Sequence, residues 1–528
     1  MQKNLVLALL LSAGVYIGWY SWIEKQYGSS RRQQPSVPQS ANIQTAPAPL
    51  SFSGDPSGTA PGTAQTPEFS VTADALPPAP GWQSRAIEFK LPHADVLMHP
   101  DGAGIISFRY HGPMGPVELV PNLRPGFFSS FPGVFFEIAK KDRESVTFTG
   151  SLPSGLNVQK KFTWSPEGGL NSLEITLSNP LSRTVSPVPW TLLLGPGLGT
   201  VKNEEKENVK LWKAVYAVQE EGRKHPSLKS LPKSPASGGW LWAGLDNRYF
   251  LAAALPETWE TGTLAFFETP VKDGKAPGLS IPGQQSPLNP KETRTAKISF
   301  YLGPKDYALL TSLGRGLNRS VDFGFFSPLA KLANSALGRL YNLTGNYGVA
   351  ILILTVIMQV FLFPLTWKSF KATLIMKKLQ PQMQMIQQKY KGDPKRLNVE
   401  MMGLYKKHGA NPLGGCLPML LQMPIFFALF TTLRNSWNLH GAHFIFWIRD
   451  LSSKDPYYVL PITMGAVMFL QQHLTPQTAD PAQASIMKWM PVIFTFMFVS
   501  FPAGLVLYWL TNSIFGFIQQ LYMQKKMT

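Results

Sequence analysis

One glutamine, Gln359, lies in an otherwise apolar stretch of eighteen residues, GVAILILTVIMQVFLFPL (348–365), that contains no charge. Its carboxamide has two N–H donors and a carbonyl acceptor, which need partners when water is removed. Thr355 precedes Gln359 by four residues and therefore shares its face of a helix. Other uncharged polar residues lie in further apolar stretches: Gln422, Thr431, Thr463, Thr511, Asn512 and Ser513. These residues fit either a polar cavity between helices or hydrogen bonds that only hold helices together.

Residues for catalysis, or for binding a metal or a nucleotide, are scarce. The sequence has neither a GxxxxGK phosphate loop nor a GxGxxG segment after a strand. His93, His99 and His111 fall within 19 residues, but their spacing matches no metal-ligand pattern. Cys416 is the single cysteine, so an internal disulfide is impossible. The sequence therefore predicts no catalytic residue, no metal site and no cofactor.

Long apolar stretches predict a membrane protein with six spans. A helix needs roughly 20 apolar residues to cross the hydrocarbon core of a bilayer. Four stretches fit one crossing each, and the last, interrupted by Pro502 and Gly504, fits two short helices: 5–22, 346–365, 417–433, 459–474 and 489–520. The first stretch could be a cleaved signal peptide. Its long apolar run, without a small-residue cleavage site, favours an uncleaved anchor at residues 1–26.

The distribution of basic residues predicts the orientation of these spans. The chain has a formal net charge of +18 although only 15% of its residues are charged. Ten Lys or Arg and only two acidic residues lie between positions 366 and 416. Short loops with such a basic excess stay in the cytoplasm. This orientation puts both termini in the cytoplasm and the long region between the first two spans outside.

The long external region predicts a tether followed by an all-β domain. Residues 27–80 are rich in Pro, Ser, Ala, Gln and Thr without a hydrophobic period, which is typical of a flexible tether. Residues 81–321 contain short runs in which polar and apolar residues alternate: AIEFK, GIISFRY, SVTFTG, LNVQKKFTW, SLEITLS and AKISFYLG. This period of two predicts an antiparallel β-sandwich.

Residues 322–345 predict an amphipathic helix immediately before the second span. Apolar residues recur there at steps of three and four: Leu329, Leu332, Ala333, Ala336, Leu337, Leu340 and Tyr341. Lys331 and Arg339 lie off this stripe. The pattern fits a helix in the external membrane interface, but a core helix of the β domain would have the same period.

Residues 367–410 predict a helical hairpin in the cytoplasm. One apolar seam runs from Met376 through Met383 to Tyr390, KGDP (391–394) breaks the helix, and a second seam follows. The methionines either pack the two arms together or meet varied apolar partners. Basic residues accompany the seams: Lys377, Lys378, Lys389, Lys391, Lys395, Arg396, Lys406 and Lys407. They could attract RNA or bind anionic lipid headgroups.

The segment NPLGGCLPMLLQMPIFFALF (411–430) resembles the signature of the YidC membrane-protein insertase family. The segments DPYYVLPITMGAVMFLQQ (455–472) and MPVIFTFMFVSFPAGLVLYWLTN (490–512) are similar to that family as well. The resemblance covers essentially the whole chain and is to the Gram-negative bacterial type. It implies a non-enzymatic protein that inserts and helps fold inner-membrane proteins, alone or with the Sec translocon.

The resemblance also implies an architecture. Residues 346–528 would form a core of five transmembrane helices around a hydrophilic groove, open to the cytoplasm and laterally to lipid and closed on the external side. The external domain would be a periplasmic all-β supersandwich, similar to galactose mutarotases but without known enzymatic use. The protein would lie in the inner membrane, with the cytoplasmic hairpin needed for insertion.

The resemblance places two residues in the groove, Gln359 and Thr355. Uncharged polar residues of the other spans could face the same cavity: Gln422, Thr511, Asn512 and Ser513. Bacterial relatives carry an arginine five residues before the proline of a Tyr/Phe-Pro-Leu-Thr motif. Here that proline is Pro364 and the matching residue is Gln359, so the expected positive charge is missing. Aromatic and methionine residues of the spans could either pack against neighbouring helices or form an apolar slide for the departing helix: Met423, Phe427, Phe469, Tyr508 and Trp509.

The implied partners are nascent inner-membrane proteins, the lipid bilayer, the Sec translocon and, at the cytoplasmic face, the ribosome and the signal recognition particle machinery. No small-molecule substrate is expected. A membrane-anchored polysaccharide-binding or polysaccharide-modifying protein is the alternative, and it would need paired carboxylates or a sugar-stacking aromatic patch. A secondary transporter would usually show internal repeats and acidic residues within its spans, and the sequence has neither.

Overall fold

The computed structural model describes residues 85–120, 126–223, 225–233, 235–236, 238–259, 262–271, 274–409, 417–474 and 481–527. The first predicted span (5–22), the predicted tether (27–80) and Cys416 lie outside the described residues.

Sixteen strands occupy the described residues from 87 to 304. In order, β1–β16 are Ile87–Lys90, Ala94–His99, Gly104–Gly112, Gly115–Glu118, Glu137–Lys141, Ser145–Ser151, Asn157–Thr163, Asn171–Ser178, Thr191–Leu194, Lys213–Val218, Ser227–Ser230, Trp242–Asp246, Phe250–Pro256, Ala265–Val271, Gly274–Pro282 and Thr293–Pro304. All six alternating runs coincide with one of these strands, so the prediction of β structure is confirmed. We call this region the β domain.

The strands of the β domain form three antiparallel sheets. Their orders are β1-β2-β3-β4, β11-β10-β12-β13-β16-β8-β7-β6-β5 and β14-β15-β9. Side chains alternate between buried and half-exposed along β8, as a sheet with one covered face requires. The covered faces meet in one apolar core that includes Phe108, Phe162, Trp164 and Phe300. Burial of this apolar surface holds the sheets together as a sandwich.

Lys160 on β7 is fully buried in this core. Its Nζ donates to the carbonyl oxygens of Gly102, Ala103 and Phe128 at 2.9, 2.8 and 2.7 Å. Burial lowers the pKa of Lys160, whereas the three carbonyl oxygens match the three N–H donors of a protonated ammonium group. Ala103 and Phe128 have left-handed φ angles of 43° and 58°. Lys160 therefore ties together two turns whose backbone is unfavourable for residues with a Cβ.

We expect Lys160→Met to lower the free energy of unfolding of the β domain by at least about 2 kcal/mol, because three buried carbonyl groups lose their donor. The measurement is denaturant unfolding of the full chain, followed by near-ultraviolet circular dichroism. Lys161→Met is the matched control, since Lys161 is the exposed neighbour on the same strand. Equal unfolding free energies for the two variants would contradict this role.

Nine α-helices lie in the described residues. In order, α1–α9 are Glu205–Leu211, Tyr307–Ser312, Ser327–Thr344, Tyr347–Lys389, Pro394–Lys407, Leu417–Asn435, Val459–Leu474, Pro481–Phe498 and Ala503–Met527. We call α3–α9 the helical region. In the part of the chain that the structure describes, Tyr347–Met376 is the one segment long and apolar enough to cross a membrane. The segments Val459–Leu474 and Lys488–Phe498 are shorter apolar helices.

Local sequence signals explain where the main helices begin and end. Gly345 ends α3 with a φ of 67°, a left-handed conformation that glycine adopts without strain. The Asn346 side chain then caps α4 by accepting from the backbone N–H groups of Gly348 and Val349 at 2.9 and 3.2 Å. The predicted break near Pro502 lies between α8 and α9. The helix after the break is not short, however, because α9 continues to Met527.

The helical region packs around α9, which contacts α4, α6 and α7. The helix α8 packs against α7, and α3 packs against α4 and α6. Six of these helices contribute to one buried apolar cluster, which includes Leu337, Leu354, Leu429, Met464, Phe498 and Val506. This packing brings polar positions of α4, α6 and α9 close together.

The helix α3 occupies the stretch predicted to be amphipathic. It buries Ala330 and Leu337, whereas Leu332 and Leu343 are exposed. The predicted apolar stripe is therefore only partly covered by protein. Leu337 is buried, whereas Leu332 on the same stripe is exposed although α3 packs against α4 and α6.

The hairpin consists of the C-terminal part of α4 and all of α5. The α4 helix is continuous from the apolar stretch into the first arm although it contains Pro364 and Pro381, since each proline removes only one backbone hydrogen bond. Leu379 and Met383 are buried against Met401, Leu404 and neighbouring residues of the second arm. The methionine seam thus packs the two arms together, which was one of the two interpretations of the sequence.

The β domain and the helical region share an apolar junction. Trp437, just after α6, is only 7% exposed and belongs to the core of the β domain. Its ring lies 4.8, 5.9 and 6.1 Å from the rings of Phe250, Tyr110 and Tyr249. A second contact surface joins Ala428 of α6 to apolar residues of the β domain. These contacts anchor the end of α6 to the β domain.

Candidate functional site

Three carboxamides from three helices meet inside the helical region. Gln359 on α4 and Gln422 on α6 both donate a side-chain N–H to Asn512 Oδ1 on α9. The distance from Gln422 Nε2 to Asn512 Oδ1 is 2.7 Å. Gln359 is only 7% exposed, whereas Gln422 and Asn512 are half-exposed. We call these three side chains the amide cluster.

Helix geometry explains why Gln359 points inward. The next two residues, Val360 and Phe361, are turned about 100° and 200° away from Gln359 around the helix axis, and both are exposed. An apolar environment suits these two residues, whereas the carboxamide of Gln359 needs hydrogen-bond partners. Asn512 provides such a partner without introducing a charge. The cluster is therefore polar and uncharged, within an apolar bundle.

The predicted hydroxyl residues lie on the same helices as the amide cluster. Thr355 and Thr511 are buried, and each donates its hydroxyl to the carbonyl oxygen four residues earlier, Ile351 and Leu507, at 2.7 Å. Ser513 is buried as well. The two threonines thus satisfy their hydroxyls within their own helices.

Thr431 and Thr463 lie elsewhere. Thr431 donates to the carbonyl oxygen of Phe323, near the β domain, at 3.0 Å. Thr463 is exposed on α7. Neither residue joins the amide cluster, and Thr431 ties two parts of the structure together.

The five residues predicted as an apolar slide do not share one surface. Met423 and Phe469 are exposed, and Phe427 stacks against Phe326 at 6.4 Å. Tyr508 is buried next to the Gln422 side chain. Trp509 packs among aromatic rings, 4.8 Å from Phe426. Tyr508 therefore belongs beside the amide cluster.

Several buried polar residues of the helical region were not predicted from the sequence, among them Ser369 on α4, Thr432 on α6 and Gln520 on α9. Gln520 follows Asn512 by two helical turns and therefore lies on nearly the same face. Gln524, one turn further, donates to the Leu474 carbonyl oxygen at 3.4 Å. The spacing of Asn512, Gln520 and Gln524 is visible in the sequence and could have predicted a polar strip along α9.

The predicted basic residues of the hairpin are exposed wherever their side chains are described. This set comprises Lys378, Lys389, Lys391, Lys395, Arg396, Lys406 and Lys407, while the side chain of Lys377 lies outside the described part. Met383 is buried between the arms, with its sulfur 4.0 Å from the Tyr405 hydroxyl. The hairpin therefore presents a basic surface, and its methionine seam is covered.

The structure brings two of the three histidines together, because the backbone N–H of His111 donates to the His93 carbonyl oxygen at 2.8 Å, whereas His99 lies at the other end of β2. His111 Nε2 lies 3.2 Å from an oxygen of Asp95, and His99 Nδ1 accepts from the Asp101 backbone N–H at 3.1 Å. Burial lowers the pKa of His93. Among the described residues, no group of three or more His, Cys, Asp or Glu side chains is placed to hold a metal ion.

Comparison with known families gives matches along most of the chain. A family model described as 60Kd inner membrane protein matches residues 339–528. A second, described as YidC periplasmic domain, matches residues 117–333. The two matches cover most of the helical region and of the β domain, respectively.

Full-length relatives extend these matches to the whole chain. A protein of Endomicrobium trichonymphae called membrane protein insertase YidC is 36% identical over 100% of this chain and 98% of its own length. The protein of the same name from Syntrophus aciditrophicus is 34% identical over 100% of both chains. A crystal structure of an active YidC insertase aligns with 83% of this chain and 92% of its own, at a TM-score of 0.38 and 18% identity.

The two family models account for different parts of the chain, and the relatives align from end to end above 30% identity. The chain therefore belongs to the YidC membrane protein insertase family.

Proposed function

We propose that this protein inserts polypeptide segments into the inner membrane and helps them fold there. The observation that carries the proposal is the amide cluster, because three polar side chains meet at one acceptor within an apolar helical bundle. Such residues are rare in membrane-spanning helices and usually have a function. Membership in the insertase family supports the same function.

The physical problem of insertion explains the use of uncharged polar residues. A polar tail that crosses hydrocarbon leaves unpaired groups, each at a cost of several kcal/mol. Side chains that offer hydrogen bonds part-way across shorten the unfavourable path. The inserted helix then leaves sideways into lipid, where its apolar side chains are stable. No nucleotide is needed for this sequence of steps.

The amide cluster suits this role because its hydrogen bonds can be exchanged. Gln359 and Gln422 each use an N–H group on the same oxygen of Asn512. An entering peptide group can replace one of these contacts while the remaining amide stays paired. The number of satisfied groups changes little, so the exchange requires little free energy. Gln422 and Asn512 are half-exposed, which fits access from one side.

The proposed arrangement has six spans. The anchor at residues 1–26 is followed by α4, α6, α7, α8 and α9, which form the five-helix core around a groove that opens to the cytoplasm and to lipid. Both termini and the hairpin are cytoplasmic, and the β domain is periplasmic. The excess of basic residues between 366 and 416 supports this orientation.

The proposed partners are nascent inner-membrane proteins, the Sec translocon, the ribosome and the signal recognition particle machinery. The exposed basic residues of the hairpin support the contacts at the cytoplasmic face, because ribosomal RNA attracts such surfaces without sequence specificity. The protein acts without covalent catalysis and without a cofactor.

Depletion of the protein in its host, followed by a census of the inner membrane, tests the function. Newly made inner-membrane proteins with short translocated segments should be lost selectively from the membrane. Purified full-length protein in lipid vesicles should restore insertion of one of them. Normal insertion after complete depletion would refute the proposal.

A substitution at Gln359 tests the role of charge in the groove. We expect Gln359→Arg to favour a single-span substrate with an acidic tail over one with a neutral tail, because an opposite charge attracts the tail. The buried arginine itself costs about 2.5–3.5 kcal/mol, so total activity should fall. Gln359→Leu should reduce insertion of both substrates. The measurement is protease protection of the tail in vesicles.

The matched control is Val360→Leu, because Val360 is the exposed neighbour of Gln359. It should behave like the parent protein with both tails. If the parent protein, Gln359→Leu and Gln359→Arg all insert both substrates equally well, position 359 has no part in insertion.

A further inference from the structure

The loop between α6 and α7 carries a cluster of exposed aromatic side chains. Phe446 is 81% exposed and Tyr457 is 67% exposed. The half-buried ring of Trp447 contacts both, with centroid distances of 6.0 and 6.4 Å. Ile445 and Tyr458 add further exposed apolar surface. We call these five side chains the loop patch.

The loop patch is held in a defined conformation. Asp455 is buried and accepts from Trp447 Nε1 at 3.0 Å, and from the backbone N–H groups of Tyr457 and Leu460 at 3.0 and 2.7 Å. Phe446 and Tyr458 have left-handed φ angles of 52° and 58°, which residues other than glycine adopt rarely. The loop therefore holds exposed aromatic rings outward through a strained backbone and a buried carboxylate, which points to a contact made by those rings.

The position of the loop indicates the contact. Asn346 Nδ2, at the start of α4, donates to the Phe444 carbonyl oxygen at 3.0 Å. The backbone N–H of Ala503, at the start of α9, donates to the Ser453 carbonyl oxygen at 2.7 Å. The loop ends where α7 begins. It is thus attached at the N-terminal ends of α4, α7 and α9, next to the start of the apolar segment Tyr347–Met376.

The charges on the loop are unequally exposed. Arg449 and Lys454 are exposed, whereas Asp455 is buried and its oxygens are occupied. Asp450 is mostly covered and accepts from the Gly441 and Ser452 backbone N–H groups at 3.0 and 2.9 Å. The outward surface therefore combines aromatic rings with positive charge. This combination is typical of protein surfaces in the headgroup layer of an anionic bilayer.

We propose that the loop patch inserts into the headgroup layer of the leaflet at the N-terminal ends of α4, α7 and α9, with Arg449 and Lys454 bound to lipid phosphates. The occupant of the patch is lipid, because the loop is bonded to the N-terminal end of α4, where the apolar segment Tyr347–Met376 begins. The exposed Arg449 and Lys454 on the same loop complement the charge of lipid phosphates. This inference rests on the proposed crossing of the membrane by α4. The patch fixes the depth of the groove helices relative to that leaflet.

Nitroxide labels on the full chain test the proposal. Cys416→Ser removes the single cysteine, and Phe446→Cys, Phe361→Cys or Val188→Cys then gives one labelling site each. Phe361 is exposed in the middle of the apolar segment Tyr347–Met376, and Val188 is exposed on the β domain. In vesicles of phosphatidylethanolamine and phosphatidylglycerol, collisions with oxygen and with a water-soluble nickel chelate report the depth of each label.

We expect the ratio of oxygen to nickel collisions at position 446 to exceed that at 188 and to stay below that at 361. A ratio at 446 equal to that at 188 would overturn the proposal, and would mean that water or a partner protein covers the patch. If position 361 also reports water, the proposed crossing by α4 fails instead. The three labels therefore distinguish the two failures.

Lipid charge tests the role of the basic residues. We expect the label at 446 to report greater depth in vesicles with phosphatidylglycerol than in phosphatidylcholine alone. Arg449→Gln combined with Lys454→Gln should abolish that difference. A difference that survives both substitutions, or its absence in the parent protein, would overturn the assignment of these residues to lipid phosphates.

Discussion

Replacing the whole amide cluster by leucine should leave a folded protein that inserts poorly. In the variant Gln359→Leu, Gln422→Leu, Asn512→Leu, no amide loses a partner, because donors and acceptor are removed together. Such joint replacement is often nearly neutral for stability. Insertion should fall at least roughly tenfold, which corresponds to the loss of about 1.4 kcal/mol of hydrogen bonding in the rate-limiting step.

The single substitution Asn512→Leu should behave differently. It removes the common acceptor of the Gln359 and Gln422 N–H groups. The loss costs roughly 1–3 kcal/mol for the buried Gln359 and less for the half-exposed Gln422, which water can reach. The thermal midpoint in detergent should therefore fall in the single variant and recover in the triple variant.

This pair of variants separates the two interpretations of the buried polar residues. If the amides only hold helices together, insertion follows stability and recovers in the triple variant. If their polarity serves the substrate, insertion stays low although stability recovers. Thr431→Val is the control, since Thr431 bonds to the Phe323 carbonyl oxygen outside the cluster. A triple variant with the activity of the parent protein would rule out the proposed role of the cluster.

The residues of the amide cluster could be predicted from the sequence because each is a polar side chain among apolar neighbours in the chain. A carboxamide between Met358 and Val360 is conspicuous in an apolar helix, and Asn512 is similarly conspicuous on α9. Their meeting at one oxygen depends on the relative rotation of α4, α6 and α9, which helix periodicity alone does not determine. The same limitation applies to Tyr508. An aromatic residue in a span packs against protein or lipid equally well until its neighbours are known.

The positions of the β-strands could be predicted from the sequence, whereas the order of the strands in the sheets could not. Runs such as SLEITLS alternate so regularly that one face must be covered. The order of the nine-stranded sheet was not accessible, because β8 pairs with β16 more than a hundred residues later. Such pairing depends on which buried faces fit together. Lys160 is a further example, since nothing in LNVQKKFTW distinguishes its environment from that of Lys161 except the alternation itself.

The junction between the β domain and the helical region had no signal in the sequence. Trp437 follows α6 in a short loop, where a tryptophan would ordinarily be expected at a membrane interface. Its ring instead inserts among Tyr110, Tyr249 and Phe250. The docking depends on a cavity formed by strands that lie more than 180 residues earlier in the chain. The structure therefore gives this residue a mechanical role between the two parts.

Trp437→Ala should weaken that coupling strongly. Truncation of a buried tryptophan costs about 3–5 kcal/mol, because apolar contacts are lost and a cavity remains. The other residues of the apolar core of the β domain are unchanged, so the β domain should remain folded. We expect thermal unfolding of the full chain in detergent to change from one transition to two, as the β domain and the helical region unfold separately.

The control for Trp437→Ala is the truncation of a tryptophan outside the junction. Trp489 on α8 is 62% exposed, and Trp489→Ala should keep one transition with a nearly unchanged midpoint. Trp437→Phe should give an intermediate result, because a smaller ring keeps part of the contact with Phe250. A single transition at the parent temperature for Trp437→Ala would mean that the surface around Ala428 suffices for coupling. If two transitions appear and insertion is retained, docking of the β domain serves stability alone. If two transitions appear and insertion is lost, the groove helices work only when the β domain holds the end of α6.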